Sequence, residues 1–131
     1  MLGWFRGRGA AAEGAPARDP VHGAEEPMDM APEDLARALA GPEPPMVLDV
    51  RTPGEYAAGH IRQARLLPLP QLGGRLGDLP KGQPIICVCR SGHRSGIAAR
   101  QLRSRGYRVR TMTGGMLNWR GVVVRGPGAG P

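Results

Sequence analysis

The sequence predicts an α/β fold in which a central parallel sheet of about five strands is flanked by helices on both faces. Two apolar runs, at residues 46–50 and 85–88, have the composition of strands that are buried on both sides. Helical segments alternate with the strands, and the connections between them are short. One connection carries a cysteine directly after a strand, at the edge where open parallel sheets bind ligands.

The length and composition indicate one folded domain with loose ends. The 131 residues suffice for a single modest core. We predict a disordered tail rich in glycine, alanine and arginine over residues 1–24, a folded domain over 25–126 and a flexible C-terminus over 127–131. The apolar start of the tail is too short for a signal peptide or a membrane helix. We therefore expect no membrane association.

The cysteine and histidine content argues against a disulfide framework and against a metal site. The chain has two cysteines, Cys87 and Cys89, which are too close in sequence for an unstrained disulfide. This usage is typical of a reducing compartment, so we expect a cytoplasmic location. Three histidines and one cysteine pair do not form a zinc pattern. No nucleotide or cofactor motif occurs, and we expect neither a metal nor a cofactor.

Positive charge is concentrated in the second half of the chain. The net charge is +7, and from Leu79 onward there are ten basic residues and no acidic residue. One explanation is a solvated basic surface. The other is a positive field that attracts anionic substrates, an acidic partner or a nucleic acid. No basic motif interleaved with aromatic residues is present, so a nucleic-acid partner is not favoured but stays open.

The first half of the predicted domain alternates helix and strand. Folding is expected to begin near Met28. A helix is predicted over residues 32–39, because a proline lies in its first turn, acidic residues follow and two leucines are one turn apart. The strand at 46–50 ends in a polar cluster. About one helical turn over 53–59 then leads to a third strand around residues 66–69.

The second half repeats this alternation around the cysteine. We predict a loose helix over 71–79, where three glycines weaken the pattern, and the buried strand over 85–88. A helix over 95–105 ends at a glycine. The alternating stretch 107–112 is predicted to be the last strand, and a short helix containing Trp119 follows it.

The stretch from Cys89 to Ser95 joins a predicted strand to a predicted helix and reads Cys-Arg-Ser-Gly-His-Arg-Ser. A helix N-terminus presents unpaired N–H groups and the positive end of the helix dipole. A loop wrapped around one point aims further N–H groups at it, and Arg90 and Arg94 add positive charge. A free thiol with a pKa near 8.5 is only about 3% thiolate at neutral pH, whereas such surroundings lower the pKa to roughly 3.5–7.5. Cys89 is therefore predicted to be a reactive nucleophile.

This heptapeptide resembles the active-site loop of the rhodaneses, the thiosulfate sulfurtransferase family. Two further stretches match the family's first and last signatures, and the resemblance extends over residues 28–126. The first signature matches Leu48-Asp49-Val50-Arg51, Glu55-Tyr56 and Gly59-His60-Ile61. The last signature matches Thr113-Gly114-Gly115 followed by Trp119. At Arg62-Gln63-Ala64 the chain departs from the small glycine turn that is usual in the family.

The resemblance implies a rhodanese-like fold and a sulfurtransferase activity without a cofactor. A Cys89 persulfide would carry a sulfane sulfur from thiosulfate, a small anionic donor, to a thiophilic acceptor. That acceptor is cyanide in vitro and a small or protein thiol in the cell. The alternative is a relay module that passes persulfide sulfur between partner proteins, for instance in tRNA thiolation or cofactor assembly, with little thiosulfate activity.

The resemblance and the residue types together assign expected roles around the thiol. Asp49, Arg51 and Glu55 resemble positions that brace the site by ion pairing. Cys87 is expected to pack in the core, and a role as a resolving thiol stays open. In the loop, Arg90 is expected at the entrance and Arg94 in the anion cradle. The hydroxyls of Ser91 and Ser95 and the backbone N–H of His93 are expected to donate hydrogen bonds to the sulfur. Gly92 is expected to shape the backbone, and Ser95 also to cap the helix.

The size of the loop bears on the choice of substrate. The resemblance implies that a phosphatase sharing this fold needs Cys-x5-Arg to surround a phosphate. From Cys89 to Arg94 the spacing here is Cys-x4-Arg. The shorter loop favours a persulfide over phosphate or arsenate chemistry.

Overall fold

The structure, a computed structural model, describes residues 26–127. The predicted tail over 1–24 lies outside this range, as does the predicted flexible C-terminus apart from Pro127. The helices are α1 (Pro32–Leu39), α2 (Pro53–Ala58) and α3 (His93–Arg103). The strands are β1 (Asp29–Met30), β2 (Met46–Asp49), β3 (His60–Ile61), β4 (Ala64–Leu66), β5 (Ile85–Val88), β6 (Val109–Met112) and β7 (Val123–Val124).

Five strands form a parallel sheet in the order β1-β6-β5-β2-β4, which confirms the predicted fold class. The strands β2 and β5 are in register, with Asp49 opposite Val88. Both strands bury both of their faces, as their apolar composition predicted. Because they are parallel, the residues that follow Asp49 and Val88 meet at one edge of the sheet.

Helices cover both faces of the sheet and create two apolar clusters. On one face, Cys87 packs with Leu102 and other residues of α3. On the opposite face, Ile86 packs with Leu35 of α1 and Tyr56 of α2. Fully burying one large aliphatic side chain contributes about 1.5–3 kcal/mol. These two clusters therefore hold the strands, and the edge of the sheet beside them, in a fixed position.

The first two helices begin as local sequence rules predict. In α1, Pro32 lies in the first turn and is followed by two acidic residues. In α2, Thr52 and Glu55 form a capping box: the Glu55 N–H donates to Thr52 Oγ1 at 3.2 Å, and the Thr52 N–H donates to Glu55 Oε1 at 3.0 Å. The capping box fixes the Glu55 side chain, which also takes part in the site described below.

The strand that was predicted as the third in the chain is β4 of the structure, and it lies earlier than predicted. It was expected around residues 66–69, but β4 spans Ala64–Leu66 and pairs with β2. Pro68 has no N–H group to continue a ladder, and a 3₁₀ helix begins at the next residue. The number of apolar residues alone predicts a strand that continues through Pro68, whereas the proline ends it.

The loose helix predicted over 71–79 is not an α-helix. Two 3₁₀ segments, Leu69–Gly74 and Leu76–Asp78, occupy this region. Its three glycines and Pro70 lower α-helix propensity, and short 3₁₀ turns tolerate such sequences. The short helix predicted near Trp119 is likewise a 3₁₀ turn, Gly115–Asn118.

Two further predictions about the second half were wrong in detail. The helix expected over 95–105 begins at His93, so Ser95 lies inside its first turn and does not cap it. The strand β6 was expected to be the last one, but β7 follows and pairs antiparallel with β3. Such a two-residue strand carries too little periodicity to be recognised in sequence. Within residues 26–127, no helix is long and apolar enough to cross a membrane.

Candidate active site

Cys89 lies directly after β5, in the turn that leads into α3. Only 1% of the residue is exposed. Asp49 ends β2, the strand beside β5, so the polar residues after β2 are close to the thiol in the sheet. The carboxyl edge of the parallel sheet thus brings together the two polar clusters that the sequence indicated.

Hydrogen bonds surround the sulfur of Cys89. The Gly92 N–H donates to Sγ at 3.0 Å, and the Ser95 hydroxyl oxygen lies 3.5 Å from it. Burial raises the pKa of Cys89, but the Ser95 hydroxyl and the backbone N–H groups of Ser95, Gly92 and Ser91 lower it by more. The net pKa lies below the ordinary value for cysteine, so the site favours the thiolate, which is the nucleophilic form.

Glycine at position 92 is required by the backbone. Its φ angle of +106° lies in the left-handed region, which residues with a Cβ rarely adopt. This conformation turns the chain into α3, which places the Ser95 hydroxyl beside the sulfur, and the Gly92 N–H itself donates to the sulfur. The shape role expected of Gly92 therefore has a direct chemical consequence.

Arg94 forms an ion pair with Glu55. Its two terminal nitrogens donate to the two carboxylate oxygens at 2.7 and 2.8 Å. The hydrogen bond from Arg94 is the main cause that lowers the pKa of Glu55 to about 2. The pair links α2 to the first turn of α3. The guanidinium expected to cradle an anion is thus already bound to a carboxylate of this chain.

Asp49 and Arg51 form a second, deeply buried ion pair. Arg51 Nε donates to Asp49 Oδ1 at 2.9 Å, and Arg51 Nη2 donates to Oδ2 at 2.8 Å. The same Nη2 also donates to the Gly59 carbonyl oxygen at 2.8 Å. These bonds connect the end of β2 to the start of β3, and they leave the charge of each buried group compensated.

The other residues of the loop face solvent. Arg90, Ser91 and His93 are all exposed. The exposed position of Arg90 is compatible with the entrance role predicted for it, and Ser91 contributes to the pKa of Cys89 through its backbone N–H. The histidine at position 93 is the first residue of α3.

A glycine turn after β6 supports the loop from behind. The N–H groups of Met116 and Leu117 donate to the carbonyl oxygens of Cys89 and Arg90, at 2.8 and 3.1 Å. Gly115 has a φ of +64°, and a Cβ there would lie 2.4 Å from the Arg90 carbonyl oxygen. The Thr-Gly-Gly signature therefore allows a close backbone approach that orients the first two residues of the loop.

The second cysteine is chemically different from the first. Cys87 is fully buried in β5, and burial strongly raises its pKa. It packs in the cluster beneath α3, in agreement with the core role expected for it. As a neutral thiol without access to solvent, it is a poor nucleophile.

One buried polar residue near the sulfur, Thr111, was not predicted from the sequence. Thr111 lies on β6, and its hydroxyl oxygen is 2.5 Å from that of Ser95. The sequence contained one indication of it. Thr111 lies two positions after Val109, on the same inward face of a buried strand, where an apolar side chain is usual. That signal does not reveal its partner, which lies 16 residues away.

The histidine in the Gly-His-Ile motif has a packing role. His60 stacks on the Tyr56 ring with centroids 3.6 Å apart, and its Nδ1 lies 2.7 Å from the Tyr56 carbonyl oxygen. Across residues 26–127, the structure contains no group of three potential metal-ligating side chains.

Known proteins share this sequence pattern and architecture. The Rhodanese-like domain family matches residues 31–121. A sulfurtransferase from Allochromatium vinosum is 39% identical over 88 residues, which cover 66% of this chain and 82% of that protein. The thiosulfate sulfurtransferase GlpE of Pseudomonas putida is 33% identical over 90 residues, covering 68% of this chain and 82% of that protein. The crystal structure of a rhodanese-like domain protein from Staphylococcus aureus has a TM-score of 0.70 at 28% identity, covering 75% of this chain and 97% of that one.

Proposed function

Because this chain belongs to the rhodanese-like domain family of sulfurtransferases, we propose that it transfers a sulfane sulfur from thiosulfate or a related donor through a Cys89 persulfide. The observation that carries the proposal is the set of hydrogen bonds around the Cys89 sulfur, which lower the pKa of the thiol. A buried anionic sulfur at a helix N-terminus is suited to covalent catalysis.

The first half-reaction loads the enzyme. The Cys89 thiolate attacks the outer sulfur of thiosulfate and forms a new S–S bond. The S–S bond of thiosulfate breaks, and sulfite leaves with the electron pair. The persulfide keeps one negative charge, so the same N–H and O–H donors that stabilise the thiolate support the product.

The second half-reaction unloads the outer sulfur. An acceptor with a free electron pair, cyanide in vitro or a thiolate in the cell, attacks it and releases the Cys89 thiolate. Both steps balance without a cofactor. The segment after Leu79 has ten basic residues, among them the exposed Arg90, and no acidic residue, so its net positive charge attracts anionic donors.

The state of Arg94 supports sulfur transfer over phosphate hydrolysis. A phosphatase must enclose a phosphate dianion within the loop, which needs cationic groups that are free to bind it, whereas sulfur transfer leaves only the persulfide sulfur there. The Arg94 guanidinium is paired with Glu55, so its charge is already compensated. A persulfide carries one charge, which backbone N–H groups can accommodate.

The two free cysteines fit a reducing compartment, and we propose a cytoplasmic location for the protein.

Thiosulfate:cyanide turnover tests the proposal directly. We expect turnover in the wild type, none in Cys89→Ser and unchanged turnover in the matched control Cys87→Ser. Mass spectrometry after incubation with thiosulfate should find one added sulfur atom on Cys89. Turnover that survives in Cys89→Ser would refute the proposal, as would hydrolysis of an aryl phosphate without sulfur transfer. Efficient loading with poor turnover to cyanide would instead assign the protein to a persulfide relay.

A further inference from the structure

The Ser95 hydroxyl lies between the reactive sulfur and a second hydroxyl group. Its oxygen is 3.5 Å from Cys89 Sγ and 2.5 Å from Thr111 Oγ1. Both hydroxyl residues are buried, with Thr111 only 5% exposed. Thr111 lies opposite Cys87 in the sheet and therefore near the end of β5, where Cys89 follows. The three groups form a line of hydrogen bonds that ends at the sulfur.

The positions of the two hydroxyl hydrogens follow from the available acceptors. Within residues 26–127, the one hydrogen-bond partner of the Thr111 hydroxyl is Ser95. If Ser95 donated to Thr111, the Thr111 hydrogen would have no acceptor, and a buried unpaired donor is destabilising. If Thr111 donates to Ser95, both hydrogens find acceptors. The second direction is therefore favoured.

With Thr111 as the donor, the Ser95 hydrogen has two possible acceptors. One is the Gly92 carbonyl oxygen, to which Ser95 Oγ donates at 3.3 Å, and the other is the sulfur of Cys89 once it is ionised. As a neutral thiol, the sulfur donates its own hydrogen to Ser95 Oγ. Hydrogen bonds to ionised acceptors are roughly twice as strong as those between neutral groups. Ionisation of the sulfur therefore draws the Ser95 hydrogen towards it.

We propose that Thr111 is a positioning residue, whose hydroxyl donates to Ser95 Oγ, holds that oxygen beside the sulfur and polarises its O–H group, so that the hydrogen bond from Ser95 to the Cys89 thiolate is stronger. The proposal rests on the proposed function, because it assumes that Cys89 reacts as an anion. No covalent bond forms or breaks in this arrangement. Thr111 acts entirely through Ser95, and this distinguishes it from a residue that merely packs in the core.

The test measures the pH dependence of iodoacetamide alkylation at Cys89, followed by mass spectrometry. Thr111→Val keeps the shape of the side chain and removes the hydroxyl. We expect this variant to raise the apparent pKa of Cys89 by about 0.5–1, the size expected of one hydrogen bond. Thr111→Ser keeps the hydroxyl and should restore the wild-type profile. Ser95→Ala should raise the apparent pKa at least as far as Thr111→Val.

The decisive comparison is the double variant Ser95→Ala/Thr111→Val. If Thr111 acts through Ser95, the double variant has the same apparent pKa as Ser95→Ala. An added rise in the double variant, or a wild-type profile in Thr111→Val, would overturn the proposal. Thermal melting verifies folding, and Thr111→Ala replaces the valine variant if that one fails to fold. Ser104→Ala, which removes a hydroxyl that donates to the Gln101 carbonyl oxygen, serves as the control and should change nothing.

These outcomes are separate from those that test the proposed function. Sulfur transfer by Cys89→Ser would refute the role of Cys89 whatever the alkylation profiles are. Conversely, normal sulfur transfer through Cys89 with unchanged alkylation in Thr111→Val would refute only the role of Thr111.

Discussion

The ion pair between Glu55 and Arg94 holds α2 against the first turn of α3, and Glu55→Gln removes the negative charge of that pair. The carboxylate accepts two hydrogen bonds from the guanidinium, at 2.7 and 2.8 Å. A glutamine at this position can still accept from the Thr52 N–H, so the capping box persists. The substitution therefore isolates the contribution of the ion pair to stability.

The size of the effect follows from the pKa of Glu55. Hydrogen bonds, chiefly those from Arg94 and then those from Thr52, lower this pKa from 4.5 to about 2. If the whole difference stabilised the folded state, it would amount to about 3.4 kcal/mol, because one pKa unit corresponds to about 1.4 kcal/mol. The side chains of Arg94 and Glu55 are 32% and 29% exposed, so solvent screens the pair. We expect Glu55→Gln to lower the free energy of unfolding by about 1–2 kcal/mol near neutral pH.

The pH dependence of this loss has a definite sign. The pKa of Glu55 is lower in the folded than in the unfolded state, so its stabilisation is complete above pH 4.5 and disappears as the pH falls towards 2. Wild type and Glu55→Gln should therefore converge in acid. Urea denaturation from neutral pH down to about pH 3 measures both proteins across this range.

A matched control removes a similar charge from an exposed pair. Asp78 pairs with Arg75, and their side chains are 46% and 40% exposed. Asp78→Asn should cost less than about 0.5 kcal/mol. The reasoning is refuted if Glu55→Gln costs no more than this control near neutral pH, or if its cost stays constant as the pH falls.

Two further predictions concern the second cysteine and the glycine turn behind the loop. Cys87→Ala should leave sulfur transfer unchanged and lower the free energy of unfolding by about 1–2 kcal/mol, because this buried thiol packs without reacting. Turnover and urea denaturation measure both effects, and lost turnover in a folded variant would assign Cys87 a chemical role. Gly115→Ala should cost at least about 2 kcal/mol and slow transfer, because its Cβ would lie 2.4 Å from the Arg90 carbonyl oxygen at a φ of +64°. Its melting temperature should fall well below that of the control Gly77→Ala, where a Cβ meets nothing within 4 Å, and equal melting temperatures would contradict this account.

Much of the fold was predictable because its signals are local. The runs that become β2 and β5 are almost entirely apolar, and the proline and acidic residues in the first turn of α1 follow standard helix-start rules. Errors arose where two local signals competed. At β4, the apolar residues around Pro68 suggested a strand, whereas the missing N–H group of the proline ended it earlier.

The lowered pKa of Cys89 was also predictable from local features. The place of this residue between a buried strand and a helix was enough to infer a thiol surrounded by N–H groups, and the pKa of Cys89 is indeed lowered. The sequence did not show which groups lower it. Arginine charge was expected to help, but the donors are the Ser95 hydroxyl and the N–H groups of Ser91, Gly92 and Ser95.

Local sequence patterns were therefore sufficient for the helix α1, for the strands β2 and β5, for a thiol surrounded by N–H groups at Cys89 and for the core position of Cys87, because each depends on neighbours within one element. Two contacts became evident only in three dimensions: Arg94 is bound to Glu55, 39 residues away, and Ser95 is bound to Thr111. A hydrogen bond between distant residues leaves no periodic pattern in either segment. It exists because the packing of α2, α3 and β6 at one edge of the sheet brings the partners within bonding distance.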